Sequence, residues 1–340
     1  MESINFTMGI VLSLVAGSML GTFAWPLKKI KHWQWANTWL IYSLWALVIL
    51  PFLWAFLTVP NFLSIYGNVP MSVLIEVFLF GAGWGIASIG FGIGLSTLGI
   101  ALGTAIVLGL NNALGAILPI VLYSPDELFT PAGIGISVGV GVMLVGIVIC
   151  AVAGAKKEKA LNKQAATPAG NFKKGLLLCI MSGVLGAMFN FALVAGKPLE
   201  ELAVQAGASS LNAANPTWCV SLLGGFIVTA IYCGYLIRKR KLFSAFTQNG
   251  SQMAWIFTLI MALMWFGGVA LYGTAVMNLG KLGASIGWPL IQSMAVAGGS
   301  AVGIITREWK GTGRQPLTIM LTGLACLMIG IVIVSKAGTL

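Results

Sequence analysis

Long apolar runs separated by short polar segments repeat along the whole chain. Each run has about 20 residues, the length that a helix needs to cross a hydrocarbon core of roughly 30 Å. The pattern predicts an all-α membrane protein with ten transmembrane helices. The predicted spans are residues 6–27, 37–57, 73–96, 100–123, 131–154, 174–195, 215–237, 252–277, 282–305 and 316–336.

The composition supports the same class. Hydrophobic residues make up 58% of the chain and charged residues 8%, whereas soluble domains carry roughly 25% charged residues. The five cysteines fall inside or at the edge of apolar runs, and none has CxxC spacing. Neither a metal site nor a disulfide framework is therefore expected, and no cofactor is predicted.

The basic residues separate by side when the connections are placed alternately on two sides of the membrane. All but three of the 19 Lys and Arg residues then fall on one side, and the exceptions are Lys197, Lys281 and Lys336. By the positive-inside rule the basic side is cytoplasmic, so both termini are expected outside. The net charge of +11 thus reflects topology, and no nucleic-acid partner is expected.

The two halves of the chain resemble each other. The matches, in order, are Gly9–Gly17 with Gly175–Gly183, Phe23 with Phe189, Trp84 with Trp265, and Gly146–Ile149 with Gly330–Ile333. Each half has five predicted spans, an odd number, so the second half enters the membrane from the opposite side. This predicts two inverted five-helix repeats, a common plan for secondary transporters. Residues 1–170 form the first repeat with a cytoplasmic linker, and residues 171–340 form the second.

Two adjacent carboxamides, Asn111 and Asn112, lie in the middle of the fourth predicted span. At the offset that pairs Trp84 with Trp265, Asn111 falls on Gln292. Asn111 and Gln292 are therefore predicted to face one central site from opposite sides. The equal alternative is interhelical hydrogen bonding, which contributes roughly 0.6–2 kcal/mol. Asn112 is rotated by about 100° from Asn111 on a helix and is interpreted as such a contact.

The other candidate site residues suit a neutral, hydroxyl-rich solute. Carboxamides both donate to and accept from hydroxyl groups, and tryptophan rings stack on apolar faces such as that of a sugar. The further candidates are Trp25, Trp84, Asn190, Trp218, Trp265, Tyr272 and Trp288. Packing within the helix bundle is the alternative role for the tryptophans.

Glu76 is the acidic residue that falls within a predicted span, about one turn from its outer end. The other seven acids are terminal or in predicted loops. An ionisable residue inside the membrane is a functional hypothesis by default, so Glu76 is the candidate proton-coupling group. The alternative is that its carboxylate reaches water at the interface.

A set of segments distributed along the chain carries a further signal: Pro26–Trp35, Pro60–Phe62, Phe78–Ile86, Phe172–Leu176, Ala195–Pro198, Met264–Trp265 and Glu308–Pro316. Together they resemble the bacterial L-rhamnose–proton symporter family of the drug/metabolite transporter superfamily. The resemblance runs from about Met8 to Gly338. It implies a ten-helix inverted repeat in the bacterial inner membrane that imports L-rhamnose or a related monosaccharide with a proton. The partners are then the sugar, the proton and the lipid bilayer.

Other functions stay open at this point. The segment Gly280–Trp288 contains no acid, whereas enterobacterial members of the family carry one shortly before the tryptophan. The chain could therefore be an uncoupled facilitator, or a carrier of another neutral solute such as a nucleoside or a different sugar. An intramembrane enzyme is a remote alternative, since His32 is the single histidine, in a predicted loop, and the sequence indicates no acids that face each other across a site. No enzymatic activity is expected, and the oligomeric state is left open.

Overall fold

A computed structural model of the protein describes residues 5–98, 100–160, 172–248, 250–305 and 309–339. Helices form nearly all of this structure, because a chain in lipid must satisfy its backbone polar groups internally. The α-helices are α1 (Phe6–Thr22), α2 (Trp35–Leu44), α3 (Leu50–Thr58), α4 (Phe62–Ile65), α5 (Met71–Leu98), α6 (Ile100–Tyr123), α7 (Pro131–Ala160), α8 (Phe172–Gly186), α9 (Met188–Ala195), α10 (Lys197–Gln205), α11 (Asn215–Lys239), α12 (Ser251–Asn278), α13 (Gly283–Ile305) and α14 (Arg314–Ala337).

The prediction of an all-α membrane protein is confirmed. Within the described ranges, nine helical stretches are long and apolar enough to cross a membrane. They correspond to the predicted spans other than the fourth, where α6 contributes a shorter apolar helix over Ile106–Leu122. The predicted cytoplasmic linker around residues 167–170 lies outside the described residues.

Two of the spans are interrupted helices. The second span joins α2 to α3 through a π-helical turn, Trp45–Ile49, and Pro51 lies in the first turn of α3. The sixth span breaks between α8 and α9 at Ala187. The backbone carbonyl of Ala187 accepts a 3.0 Å hydrogen bond from the backbone N–H of Asn190. This second break lies beside the candidate site.

The helices pack in pairs that link the two halves of the chain. Helix α1 packs on α12 and α13, α8 packs on α5 and α6, and α7 packs on α14. Small residues permit these close approaches, as is usual for membrane helices. The candidate site lies where α5, α6, α9, α12 and α13 meet.

Four glycines lie at the contact between α7 and α14. A Cβ atom added at Gly139 would lie 3.2 Å from the Gly330 carbonyl oxygen, and one added at Gly146 would lie 3.0 Å from that of Gly323. Residue numbers rise along α7 as they fall along α14, so the two helices are antiparallel.

Candidate substrate site

Two tryptophans from different halves stack on each other near the middle of the bundle. Trp84 is halfway along α5 and Trp265 is halfway along α12. Their ring centroids are 5.5 Å apart, with an interplanar angle of 29°. The structure thus brings together two residues that the repeat comparison had matched.

Phe189 is the centre of a larger aromatic cluster. Its ring centroid lies 5.0 Å from that of Trp218, 5.1 Å from that of Trp84 and 5.9 Å from that of Trp288. Tyr272 packs on Trp288 at 5.9 Å. The break at Ala187 puts Phe189 and Asn190 in the first turn of α9, so one short helix presents both residues to the cluster.

Asn190 connects three helices through its carboxamide. Its Nδ2 donates to the carbonyl oxygens of Gly115 in α6 at 2.6 Å and of Ala284 in α13 at 3.4 Å. Its Oδ1 accepts a hydrogen bond from the Tyr272 hydroxyl of α12. Asn190 and Tyr272 are both fully buried. The carboxamide therefore fixes the positions of helices from both halves around the aromatic cluster.

Trp288 completes the site and contacts Asn111, one of the two adjacent asparagines of α6. Its Nε1 donates to the Asn111 carbonyl oxygen at 3.0 Å, and its ring lies against Gly115, where a Cβ atom would be 2.1 Å from Nε1. The Asn111 carboxamide faces Gly186 at the break in the sixth span. The site is thus bounded by backbone that approaches the rings closely.

Two buried polar atoms at this site have no hydrogen-bond partner among the described residues. They are Asn111 Oδ1 and Trp218 Nε1. Buried polar groups in native proteins are usually paired, so an acceptor and a donor that are left free beside aromatic rings are suited to bind the hydroxyl groups of a ligand.

Comparisons with known proteins show the family of the chain. A family model described as L-rhamnose-proton symport protein matches residues 2–339. The chain belongs to that family. The L-rhamnose-proton symporter of Yersinia pestis (strain Pestoides F) is 32% identical over 331 residues, which cover 95% of this chain and 94% of that protein. The protein of the same name from Yersinia pseudotuberculosis serotype O:1b (strain IP 31758) has the same identity and coverage. The relatives are named as transporters and not as enzymes.

The structure places the predicted site residues of this family member unequally. Six of them, together with Asn111 beside them, form the cluster described above: Trp84, Asn190, Trp218, Trp265, Tyr272 and Trp288. Gln292 is half-buried on α13, one helical turn beyond Trp288. Trp25 lies apart, because its ring is exposed and the Lys29 ammonium lies 4.8 Å from its centroid.

Glu76 also lies apart from the cluster. Its side chain is exposed on α5, on the same outward face as Ile75 and Leu79, which are exposed by 52% and 58%. Among the described residues, no group of His, Cys, Asp and Glu side chains could hold a metal ion. The aromatic cluster is therefore built from neutral side chains.

Two buried residues, Phe189 and Glu200, were assigned no functional role from the sequence. Phe189 was matched to Phe23 in the repeat comparison, and this match was the available signal for its central place. Glu200 was assigned to a loop, but the structure buries it in α10. No pattern around Glu200 separates it from its exposed neighbour Glu201.

Proposed function

We propose that the chain is a secondary active transporter that imports L-rhamnose, or a related monosaccharide, together with a proton. Family membership supports the substrate class, since the relatives are named L-rhamnose-proton symporters. The observation that carries the proposal is the uncharged cluster of Trp84, Trp265 and Trp288 around Phe189, next to the Asn190 carboxamide. Such a site binds the apolar face of a sugar by stacking and its hydroxyl groups by hydrogen bonds.

The two halves are proposed to be inverted repeats, residues 1–170 and 171–340. In such a repeat α1 corresponds to α8, α12 to α5 and α13 to α6. The packing of α1 on α12 and α13 then has its equivalent in the packing of α8 on α5 and α6. Likewise Gly139 corresponds to Gly323 and Gly330 to Gly146, so the contact of Gly139 with Gly330 is equivalent to that of Gly323 with Gly146. Because α7 and α14 are antiparallel partners, the two-fold axis lies in the membrane plane, which supports opposite insertion of the two halves.

The membrane is proposed to be the bacterial inner membrane, with both termini on the outer side. The basic loops support this orientation by the positive-inside rule. Within the proposed site, Asn111 and Gln292 contact the sugar from the two repeats, and Trp84, Trp265, Trp288, Asn190 and Tyr272 surround it.

Contacts between the halves at both ends of the bundle support alternating access. On the proposed outer side, the Lys281 ammonium lies 2.7 Å from the Glu127 carboxylate, and this hydrogen bond raises the pKa of Lys281. The pair therefore persists at neutral pH and is lost as pH rises through the raised pKa. On the proposed inner side, Trp33 Nε1 donates to the Ala245 carbonyl at 2.9 Å and Asn37 Nδ2 to that of Leu242 at 3.0 Å. A rocking motion of the repeats would break these contacts in turn.

The function is tested with purified protein in liposomes that contain a trapped pH indicator. L-Rhamnose is added outside without an imposed gradient, and the lumen is expected to acidify as sugar and protons enter together. Entry of labelled rhamnose without acidification would indicate an uncoupled facilitator or another coupling ion. If rhamnose does not enter, the proposed substrate is wrong, and other sugars and nucleosides are tested next.

Replacement of Asn111 or Gln292 by leucine is expected to weaken rhamnose uptake roughly ten-fold, because each loses one hydrogen-bonding group for a sugar hydroxyl. The folded protein should remain abundant in the membrane. Asn112→Leu is the matched control, since this neighbour is fully buried on another face of α6. The measurement is the concentration dependence of rhamnose uptake. Unchanged affinity in both variants would place the sugar elsewhere.

A further inference from the structure

Helix α10 directs the side chain of Glu200 into the protein, at the end of the bundle that is proposed to face outward. Leu199, Glu200 and Ala203 are its buried residues, and Glu200 is only 5% exposed. The adjacent Glu201 is exposed. Among the residues whose burial the structure describes, Glu200 is the one buried carboxylate. Because burial of an ionised carboxylate is costly, this position calls for a function or a compensating contact.

The first turn of α10 is fixed against the candidate site. The Gly196 carbonyl oxygen accepts hydrogen bonds from the Glu200 amide at 3.2 Å and from the Thr217 hydroxyl at 3.1 Å. A Cβ atom at Gly196 would lie only 2.1 Å from the Thr217 side chain. Thr217 directly precedes Trp218 of the aromatic cluster, so the first turn of α10 is joined to the turn of α11 that carries Trp218.

The charged and titratable groups around Glu200 are few. On its own helix Glu200 interacts with Lys197 and Glu201, and across the bundle it interacts electrostatically with Tyr272. Of the helices packed against α10, α9 carries no titratable side chain. The two others, α11 and α4, bring Cys219 and the adjoining Tyr66, which contact each other.

Tyr272 links this carboxylate to the sugar site. Its hydroxyl donates to Asn190 Oδ1, and Asn190 in turn holds α6 and α13 through the carbonyls of Gly115 and Ala284. A negative charge on Glu200 makes the Tyr272 hydroxyl a weaker hydrogen-bond donor to Asn190. A neutral Glu200 leaves the Tyr272 hydroxyl bond to Asn190 intact.

We infer that Glu200 is the proton-carrying group of the symport, and that Tyr272 and Asn190 couple its protonation to sugar binding. The inference rests on the proposed function. The carboxylate takes one proton from the outer solution, and the neutral acid favours the site geometry that binds sugar. When the site opens inward, sugar leaves, and the proton passes from the carboxyl through the emptied sugar site to water on the cytoplasmic side.

Reciprocal linkage then requires that rhamnose binds more tightly as Glu200 becomes protonated. In the unchanged protein, rhamnose affinity should fall as pH rises, approaching about ten-fold per pH unit where the carboxylate is ionised. In Glu200→Gln, which mimics the neutral acid, affinity should become independent of pH. Exchange of labelled for unlabelled rhamnose should continue, while sugar-driven acidification of liposomes should fall to the level of empty liposomes.

Glu201→Gln is the matched control, because the same substitution on the exposed neighbour should leave coupling and pH dependence unchanged. Glu200→Gln liposomes that acidify with rhamnose as the unchanged protein does would overturn the inference and leave the proposed symport standing. If the unchanged protein carries rhamnose without acidification, the proposed coupling itself fails, and the role of Glu200 fails with it.

A measurement on the unchanged protein covers the case in which Glu200→Gln does not fold. A hydrophobic carbodiimide reacts with protonated carboxyl groups, and the modified residue is mapped by peptide mass. Modification is expected at Glu200, faster at acid than at alkaline pH and accelerated by rhamnose, because bound sugar favours the protonated carboxyl. Modification that rhamnose accelerates at Glu76, with none at Glu200, would assign the proton to Glu76 and overturn the inference.

Discussion

Replacement of Asn190 by leucine is expected to lower thermal stability and to reduce rhamnose uptake by about 10- to 100-fold. The substitution keeps the volume of the side chain but removes both bonds from Nδ2 and the acceptor for Tyr272. An average hydrogen bond between membrane helices contributes only about 0.6 kcal/mol. The Tyr272 hydroxyl, however, is fully buried, and a buried group without a partner costs roughly 1–3 kcal/mol. The second effect dominates.

The chain offers a closely matched control for this substitution. Asn112 is also fully buried, but neither of its carboxamide atoms has a hydrogen-bond partner among the described residues. Asn112→Leu removes two unpaired polar atoms, so it should leave the unfolding temperature unchanged or raise it. Unfolding in detergent and uptake in liposomes are measured for both variants. Equal unfolding temperatures for the two would show that the bonds of Asn190 do not hold the helices together.

The fold was predictable to a large extent because the bilayer sets the length of each apolar run. Nine predicted spans correspond to membrane-length helices in the described residues. The match of Trp84 with Trp265 between the halves also identified two residues that are in contact, since their rings stack. Comparison of the halves was informative because, in the proposed inverted repeat, helices related by an axis through the site bring equivalent residues together.

The functional roles of acids were less predictable, since burial depends on how helices turn and pack. Helix α5 is apolar on every face, so its sequence does not reveal which side meets lipid, and Glu76 turned out to be exposed. Glu200 and Glu201 are adjacent in a short segment between two predicted spans, which the sequence analysis assigned to a loop. Only the packing of α10 against the bundle separates the buried carboxylate from the exposed one.

Replacement of Gly115 by alanine is the second change from which a large effect is expected. The added methyl carbon would lie 2.1 Å from Nε1 and 2.4 Å from Cδ1 of Trp288, inside any real van der Waals contact. Trp288 is buried, so its ring cannot yield without breaking its bond to the Asn111 carbonyl. Overpacking of this kind costs about 1–3 kcal/mol. Because the displaced ring belongs to the proposed sugar site, rhamnose affinity should fall about ten-fold or more.

Gly141→Ala on α7 is the control, and its effect should have the opposite sign. A Cβ atom at Gly141 meets nothing within 4 Å, so alanine should stabilise the helix by about 0.5–1 kcal/mol without affecting transport. Thermal unfolding and rhamnose affinity are measured for both variants. If Gly115→Ala unfolds later than the unchanged protein, as the control should, the ring does not occupy this position.

A double variant separates the steric effect from a general weakness of α6. Trp288→Phe removes the pyrrole edge of the ring, which includes the atoms nearest to Gly115. Alanine at position 115 should therefore cost less stability in the Trp288→Phe background than alone, because residues in direct contact are not additive. Rhamnose binding should remain weak in the double variant, since the indole that lines the site is still missing. Recovered stability with lost binding would assign Trp288 to the sugar site, whereas strictly additive losses would assign the cost to α6 itself.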